Sequence, residues 1–170
     1  LRERWAEGEY AYLADIAALE WAWQRAFVAD DAEPTTAEDF AAIPSERWPA
    51  LRFEFHPSLS VIESRWPIFT IWENHRDRSH EPPVVRLDAG GENVRVARDQ
   101  GRVTVRRCTD SELAWLRALQ AGATLDEAFV AASRIDPDFD LATALADLLV
   151  CVKPNLGSFR ENTYFAAASI

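Results

Sequence analysis

The sequence predicts an α+β protein: an N-terminal helical segment with two short strands, followed by a winged-helix-like module with a β-hairpin and three helices. Three observations lead to this prediction. Residues 9–29 carry apolar side chains at helical three- and four-residue steps. Valines alternate at positions 94, 96, 103 and 105 around a polar turn that contains glycine. Three later apolar runs each follow a threonine or an aspartate that can cap a helix.

Length, composition and charge limit the class of protein. The 170 residues are 48% hydrophobic and 27% charged, which is typical of a globular chain that buries a core. We expect a cytoplasmic protein with no membrane partner, because no apolar run is long enough to span a bilayer and the N-terminus lacks a secretory signal. The net charge of -10 disfavours nucleic acid, whose phosphates require Lys and Arg, and favours a basic peptide.

The first helix is predicted to be apolar on two faces. One stripe is made of Leu13, Ile16, Trp23 and Phe27. A second, flatter stripe is made of Tyr10, Ala14, Ala17 and Trp21. Both faces of such a helix must be covered. Glu20 falls in the seam between Ile16 and Trp23, so we expect it to be buried and paired with an arginine or an aromatic N–H.

Short elements are predicted to follow up to residue 76. Thr36, with Glu38 and Asp39, begins a short helix that ends near Ile43. Residues 51–57 alternate apolar and polar side chains and predict a half-buried strand, and residues 58–64 predict a second strand. Pro67 then opens a helix through residue 76.

Residues 79–83 predict a linker, and the pattern of apolar and polar residues changes after it. We therefore expect a region 1–80, a module 81–153 and an extended arm 154–170. In the module, residues 84–87 predict a short strand and residues 93–107 a hairpin. Thr109, Thr124 and Asp140 each cap a helix, and Gly122 ends the first of the three.

The residue types used in catalytic and metal sites are sparse. The three histidines are His56, His75 and His80, and no metal-ligand spacing or nucleophile motif is present. A metal site built from all three remains an alternative, whereas the sequence does not support a self-contained catalytic centre. Cys108 and Cys151 lie in apolar surroundings and are predicted to be buried thiols.

The hairpin and the helices after it leave two interpretations open. The helix after Thr124 carries Asp126 and Glu127 near its beginning, which would repel the phosphates of DNA. Arginines instead cluster on the hairpin, at positions 95, 98, 102, 106 and 107. They form either a solvated strand face or the flank of an exposed edge that receives an extended peptide. The stretch SRWPIFTIWENHR, residues 64–76, is either core or an interaction hot spot. Core packing would explain its aromatic residues, whereas Trp, Phe and Arg together are typical of a hot spot.

Several motifs in order resemble a known family. The segments YLADIAALEWAWQRAF, LRFEFHPSLSVIESRWPIFTIW and CTDSELAWLRALQAGATLDEAF resemble the partner proteins of multinuclear nonheme iron-dependent oxidases that modify ribosomally made peptides. The recurring features map onto Tyr12-Leu13-Ala14, Leu19-Glu20-Trp21, His56-Pro57-Ser58, Trp72 and residues 119–124. The resemblance covers residues 10–153, and the most similar branch acts in methanobactin biosynthesis.

The resemblance implies a function without chemistry of its own. It implies a non-catalytic subunit that forms a heterodimer with an iron-dependent barrel oxidase and engages the basic leader of a precursor peptide. The complex would convert precursor cysteines to oxazolone and thioamide groups. No cofactor is expected in this chain, because the iron would belong to the partner. A stand-alone regulator that binds DNA or a peptide remains the alternative.

Two hypotheses combine the resemblance with residues 64–76 and with the hairpin, and they give two sets of candidate residues. The predicted oxidase interface consists of Arg65, Trp66, Trp72, His75, Arg76 and His56. Ile68, Phe69 and Ile71 are expected to pack inward behind it. The predicted leader-binding strand consists of Val94, Arg95, Val96, Val103, Val105 and Arg107. No catalytic or metal-ligating residue is assigned.

Overall fold

The computed structural model describes residues 10–30, 36–76, 81–99, 101–149 and 151–154. The helices are α1 (Tyr12–Val28), α2 (Ala37–Ala41), a 3₁₀ helix (Ser45–Ala50), α3 (Ile68–Arg76), α4 (Asp110–Gln120), α5 (Leu125–Ser133) and α6 (Leu141–Leu149). The strands are β1 (Phe53–Phe55), β2 (Ser60–Ser64), β3 (Glu92–Asp99), β4 (Arg102–Cys108) and β5 (Val152–Pro154). The predicted α+β class is confirmed, with a helical N-terminal part and a hairpin followed by helices.

The strands form two antiparallel sheets. The larger sheet has the order β2-β3-β4, so β3 lies in the centre. β2 pairs with β3 from Ser60 opposite Val96 to Ser64 opposite Glu92. The smaller sheet pairs β1 with β5. Both sheets therefore join strands from the two sides of residue 80.

Each face of the larger sheet is covered by helices, because both faces carry apolar residues. On one face, α1 and α3 pack on β2 and β3 around the buried residues Leu19, Ala26, Ile68, Val94 and Val96. On the other side, α4, α5 and α6 enclose a second core with β1 and β5, which includes Trp115, Leu116, Leu119, Leu148 and Phe53.

The predicted helix caps are present where the sequence places them. Thr36 and Asp39 form a reciprocal capping box at α2, and Thr124 and Glu127 form another at α5. The Asp140 carboxylate accepts from the N–H groups of residues 142 and 143 at α6. Gly122 adopts a φ of +87°, the left-handed conformation that ends α4.

The prediction of a short strand after the linker is corrected. Residues 84–87 do not form a strand, and Val84 is 97% exposed. Four residues without a pairing partner cannot satisfy a ladder, so the segment remains irregular. Three other predictions concern residues outside the described ranges. They are His80, the first two residues of the 79–83 linker, and the arm after residue 154.

Candidate functional site

Helix α1 leaves residues of both predicted apolar stripes exposed. Trp21 is 66% exposed and Val28 is 73% exposed. The side chains of Tyr10, Leu13 and Phe27 are also exposed. The opposite face of α1 is buried through Leu19, Ala22 and Ala26. A helix with aromatic side chains on its solvent face presents the kind of patch that marks an interaction surface. We call Tyr10, Leu13, Trp21, Phe27 and Val28 the exposed stripe.

Helix α3 borders the exposed stripe and forms a groove with it. The groove has a volume of about 590 Å³ and is lined by Glu20, Trp21, Trp23, Trp72 and Arg76, among others. The Arg76 guanidinium lies 4.8 Å from the centre of the Trp72 ring, a cation–π distance. Glu20 is exposed on the wall of this groove. The prediction of a buried Glu20 is therefore wrong, because Glu20 lies on the open groove between α1 and α3.

The predicted oxidase-interface residues on α3 are divided between core and surface. Trp72 is only 9% exposed and packs in the core with Ile68, and it also lines the groove between α1 and α3. His75 is exposed, and its Nδ1 lies 2.6 Å from the Ile71 carbonyl oxygen. Arg76 is exposed beside Trp72. Ile68 and Ile71 are buried as predicted, and Phe69 is half-buried.

Arg65 and Trp66 lie before α3, near the beginning of α1. The Arg65 guanidinium stands 4.6 Å from the centre of the Trp66 ring. The neighbouring Ser64 hydroxyl donates to the Asp15 carboxylate of α1 at 2.8 Å. Arg65 is exposed and Trp66 is half-buried. The pair therefore lies at the surface beside α1, outside the groove that α1 forms with α3.

His56 is held in the turn between β1 and β2. Its Nδ1 lies 2.7 Å from the Ser58 hydroxyl and accepts from the Ser58 N–H at 3.1 Å. The pair has the composition of a nucleophile and its base, but Ser58 is fully buried and its hydroxyl accepts from the Arg98 N–H. A substrate cannot reach that hydroxyl. The contacts of His56 therefore stabilise the turn.

The predicted leader-binding residues also fall into two groups. Val94, Arg95 and Val96 lie on the central strand β3, where they are at most 6% exposed. They cannot contact an added peptide, because β2 and β4 occupy both edges of their strand. Val103, Val105 and Arg107 lie on β4, whose second edge pairs with no strand among the described residues. Of the predicted leader-binding residues, only those on β4 can therefore contact an added peptide strand.

Arg95 is a buried cation rather than part of a solvated strand face. Its Nη2 donates to the Asp147 carbonyl oxygen at 2.8 Å and to the Cys151 Sγ at 3.0 Å. Cys108 and Cys151 are both buried thiols, as predicted. Burial raises the pKa of the Cys108 thiol to about 12. Arg95 therefore ties the sheet to α6 and contributes no accessible charge.

The register of the hairpin shows which backbone groups of β4 point outward. Asp99 and Arg102 are paired and flank a two-residue connection, so their backbones form a hydrogen-bonded pair. Hydrogen-bonded and non-bonded pairs alternate along an antiparallel ladder. The N–H and C=O groups of Val103, Val105 and Arg107 consequently face the unpaired edge. The Arg107 carbonyl already accepts from the Arg106 guanidinium at 3.0 Å, which leaves Val103 and Val105 with both groups available.

A second groove, which we call the edge groove, follows this strand. It has a volume of about 670 Å³ and is lined by Trp23, Phe27, Arg76, Arg102, Val103 and Val105, among others. The rings of Trp23 and Phe27 are stacked at 5.8 Å. The edge groove therefore joins the exposed stripe of α1 to the unpaired edge of β4.

Arg107 at the far end of the edge is fixed by a polar cluster. Its Nε lies 2.8 Å from the Glu92 carboxylate, and its Nη2 donates to the Thr70 hydroxyl at 2.7 Å. The same carboxylate accepts from the Thr70 N–H at the beginning of α3. Arg107 also stands 5.0 Å from the centre of the Phe69 ring. Its charge is therefore largely neutralised within the protein.

The chain was compared with models of protein families, with curated proteins and with solved structures, and none of them matches. In the ranges that the structure describes, no group of three or more His, Cys, Asp or Glu residues is placed to hold a metal ion. No helix within those ranges is long and apolar enough to cross a lipid bilayer. The assignment of the site depends on exposure, unpaired backbone groups and charge.

The interface hypothesis from the sequence omitted Trp21, Phe27 and Arg102. The signal for Trp21 was present, since the second stripe of α1 was predicted to need a cover. Arg102 belonged to the predicted arginine cluster of the hairpin, but the groove that it lines together with Arg76 depends on how the hairpin packs beside residues some 25 positions earlier.

Proposed function

We propose that the chain is a non-catalytic partner subunit that forms a heterodimer with an iron-dependent oxidase and presents a ribosomal precursor peptide to it. The proposal combines the sequence resemblance with two surfaces, the exposed stripe and the β4 edge. The oxidase supplies the iron and the oxidation of precursor cysteines to oxazolone and thioamide groups. This chain supplies binding.

The exposed stripe is the observation on which the heterodimer depends. Tryptophan and tyrosine are enriched at the centres of protein interfaces, where they bury a large apolar area at a small loss of side-chain freedom. Trp21 is the largest exposed side chain of the stripe, at 66%. Its neighbours Glu20 and Arg76 supply charged groups at the rim of the groove. Covering this face with a partner would complete the burial that the sequence of α1 requires.

The β4 edge supports the second half of the proposal. An extended peptide can add a strand to an exposed edge and form backbone hydrogen bonds that do not depend on its sequence. Val103 and Val105 offer the N–H and C=O groups for this pairing. The predicted leader site therefore moves to Val103, Val105 and the flanking Arg107.

The partner can be tested by purifying the tagged full chain from its native host. We expect an iron-containing barrel oxidase to co-purify at one copy per chain, identified by mass spectrometry and by iron analysis of the eluate. A chain that is recovered alone and monomeric would contradict the heterodimer. Retardation of duplex DNA by that monomer would favour the regulator instead.

The surface can be tested with Trp21→Glu in the co-expressed pair. A charge in place of an interface tryptophan removes about 2 kcal/mol or more of binding free energy, which corresponds to roughly a thirtyfold weaker complex. The matched control is Ile135→Glu, since Ile135 is 54% exposed and lies after α5, in a different part of the molecule. Equal affinities for the two variants in calorimetry would remove the exposed stripe from the interface.

A further inference from the structure

The charge of the edge groove differs from the charge of the whole chain. The chain has a net charge of -10, which alone would favour a basic ligand. Among the described residues that line the edge groove, the charged side chains are Arg76 and Arg102, and the Glu20 carboxylate lines the adjoining groove beside Arg76. Contacts within a few ångströms determine which peptide fits a groove, because salt screens more distant charges.

The arginines of this region are not equally available to a ligand. Arg106 is bonded to Glu112 and Asp147, and Arg107 is bonded to Glu92. Arg76 rests on the Trp72 ring. Among the side chains that the structure describes, which do not include that of Asp99, no ion pair joins a carboxylate to Arg76 or Arg102. Two arginines without a described ion pair thus stand beside Val103 and Val105, whose backbone groups face the edge.

We infer that the edge groove binds an extended peptide segment that carries at least one carboxylate, placed between Arg76 and Arg102. The peptide adds a strand to β4 through the backbone groups of Val103 and Val105. Its apolar side chains lie against the stacked rings of Trp23 and Phe27, and its carboxylate pairs with the two guanidinium groups. The inference rests on the proposed peptide-binding function but replaces the expected basic segment with an acidic one at this site.

The inference can be tested with two synthetic peptides and the full chain. Both peptides have the same length and the same valine and threonine residues, and they differ at their charged positions, which are glutamate in one and lysine in the other. We expect the glutamate peptide to bind more tightly in fluorescence anisotropy. Each arginine contributes roughly threefold, the usual effect of an exposed ion pair, so the preference is about tenfold.

Three variants separate charge from backbone pairing. The double variant Arg76→Gln, Arg102→Gln removes most of the preference for glutamate, whereas the control Arg65→Gln, an exposed arginine outside the edge groove, retains it. Val105→Pro removes an outward N–H and weakens the glutamate and lysine peptides alike. Circular dichroism checks that each variant remains folded.

The outcomes distinguish the inference from the proposed function. Failure of both peptides to bind, tighter binding of the lysine peptide, or an unchanged preference in the double variant would overturn the inference. None of these results would affect co-purification with an oxidase. Conversely, a chain that binds the glutamate peptide but recovers no oxidase retains the groove assignment and loses the heterodimer.

Discussion

Glu112 has two roles that its position in the sequence combines. It lies at the third position of α4, where the Thr109 hydroxyl accepts from its N–H at 3.1 Å. Its side chain does not complete a capping box, because it forms two bonds to Arg106 of β4, the longer at 2.9 Å. This bond raises the pKa of Arg106. We expect Glu112→Gln to lower the free energy of unfolding by about 1–2 kcal/mol, because Arg106 loses a charge-assisted partner in a half-buried setting.

Glu127 provides the matched control for that prediction. It occupies the same helix position in α5, but it is exposed and its carboxylate caps Thr124 only. Glutamine can still accept that bond, so Glu127→Gln changes the free energy of unfolding by roughly 0.5 kcal/mol or less. Urea denaturation measures both variants, and equal losses would mean that the Arg106 bond contributes nothing.

The Cys108 thiol gives stability a dependence on alkaline pH. Its pKa is about 12 in the folded chain because burial disfavours the thiolate, compared with 9.0 for an ordinary cysteine. The folded state therefore retains its proton more strongly than the unfolded state. The contribution of Cys108 is fully present below pH 9 and is lost as the pH rises from about 9 to 12.

Cys108→Ala isolates this effect. Denaturation at several pH values should show a steeper loss of stability above pH 9 for the wild type than for the variant. The native thiol should also react slowly with a thiol reagent near pH 8, because the thiolate is the reactive form. Rapid labelling of Cys108 in the folded chain would contradict this assignment.

At the scale of elements, the β4 edge predicts unequal losses of stability for proline at neighbouring positions. Thr104 directs its N–H toward β3, whereas Val105 directs its N–H outward. Thr104→Pro should cost roughly 3 kcal/mol of unfolding free energy because it breaks the hairpin ladder, and Val105→Pro about 1 kcal/mol or less. Thermal denaturation compares the two, and a larger loss for Val105→Pro would mean that the edge is not free.

The sequence could predict the elements that depend on local patterns, but not those that depend on pairing between distant segments. The boxes at Thr36 and Thr124 were predictable because a cap joins residues three positions apart. The hairpin valines were predictable because alternation is local. The pairing of β1 with residues 152–154 joins segments about 100 positions apart, and no local pattern indicates it. Gly91 also depends on a distant contact, because an added Cβ there would collide with the Ser64 carbonyl oxygen.

The candidate site shows the same limit. The alternation of residues 94, 96, 103 and 105 predicted a hairpin, but it could not show which strand lies at the edge. That depends on β2, which joins the sheet from the N-terminal side of the chain. The exposed stripe combines Tyr10 and Trp21 of one predicted stripe with Leu13 and Phe27 of the other, and its lack of a cover depends on the arrangement of all the helices.

At the scale of the whole molecule, strand pairing links the regions before and after residue 80. Five residue pairs join β2 to β3, and three join β1 to β5. The second core also combines Phe40, Ile43 and Phe53 with residues of α4 to α6. Separated fragments would expose both the edges of the strands and these apolar surfaces to water.

We therefore expect a chain cut at a protease site inserted between residues 81 and 83 to remain associated. The two fragments should elute together in size exclusion at the volume of the intact chain and separate only in denaturant. Residues 81–170 expressed alone should show poor dispersion in NMR spectra, because β3 lacks β2 and β5 lacks β1. The uncut chain with the same insertion is the control for the insertion itself. Fragments that separate without denaturant, each with a cooperative unfolding transition, would instead establish two independent domains.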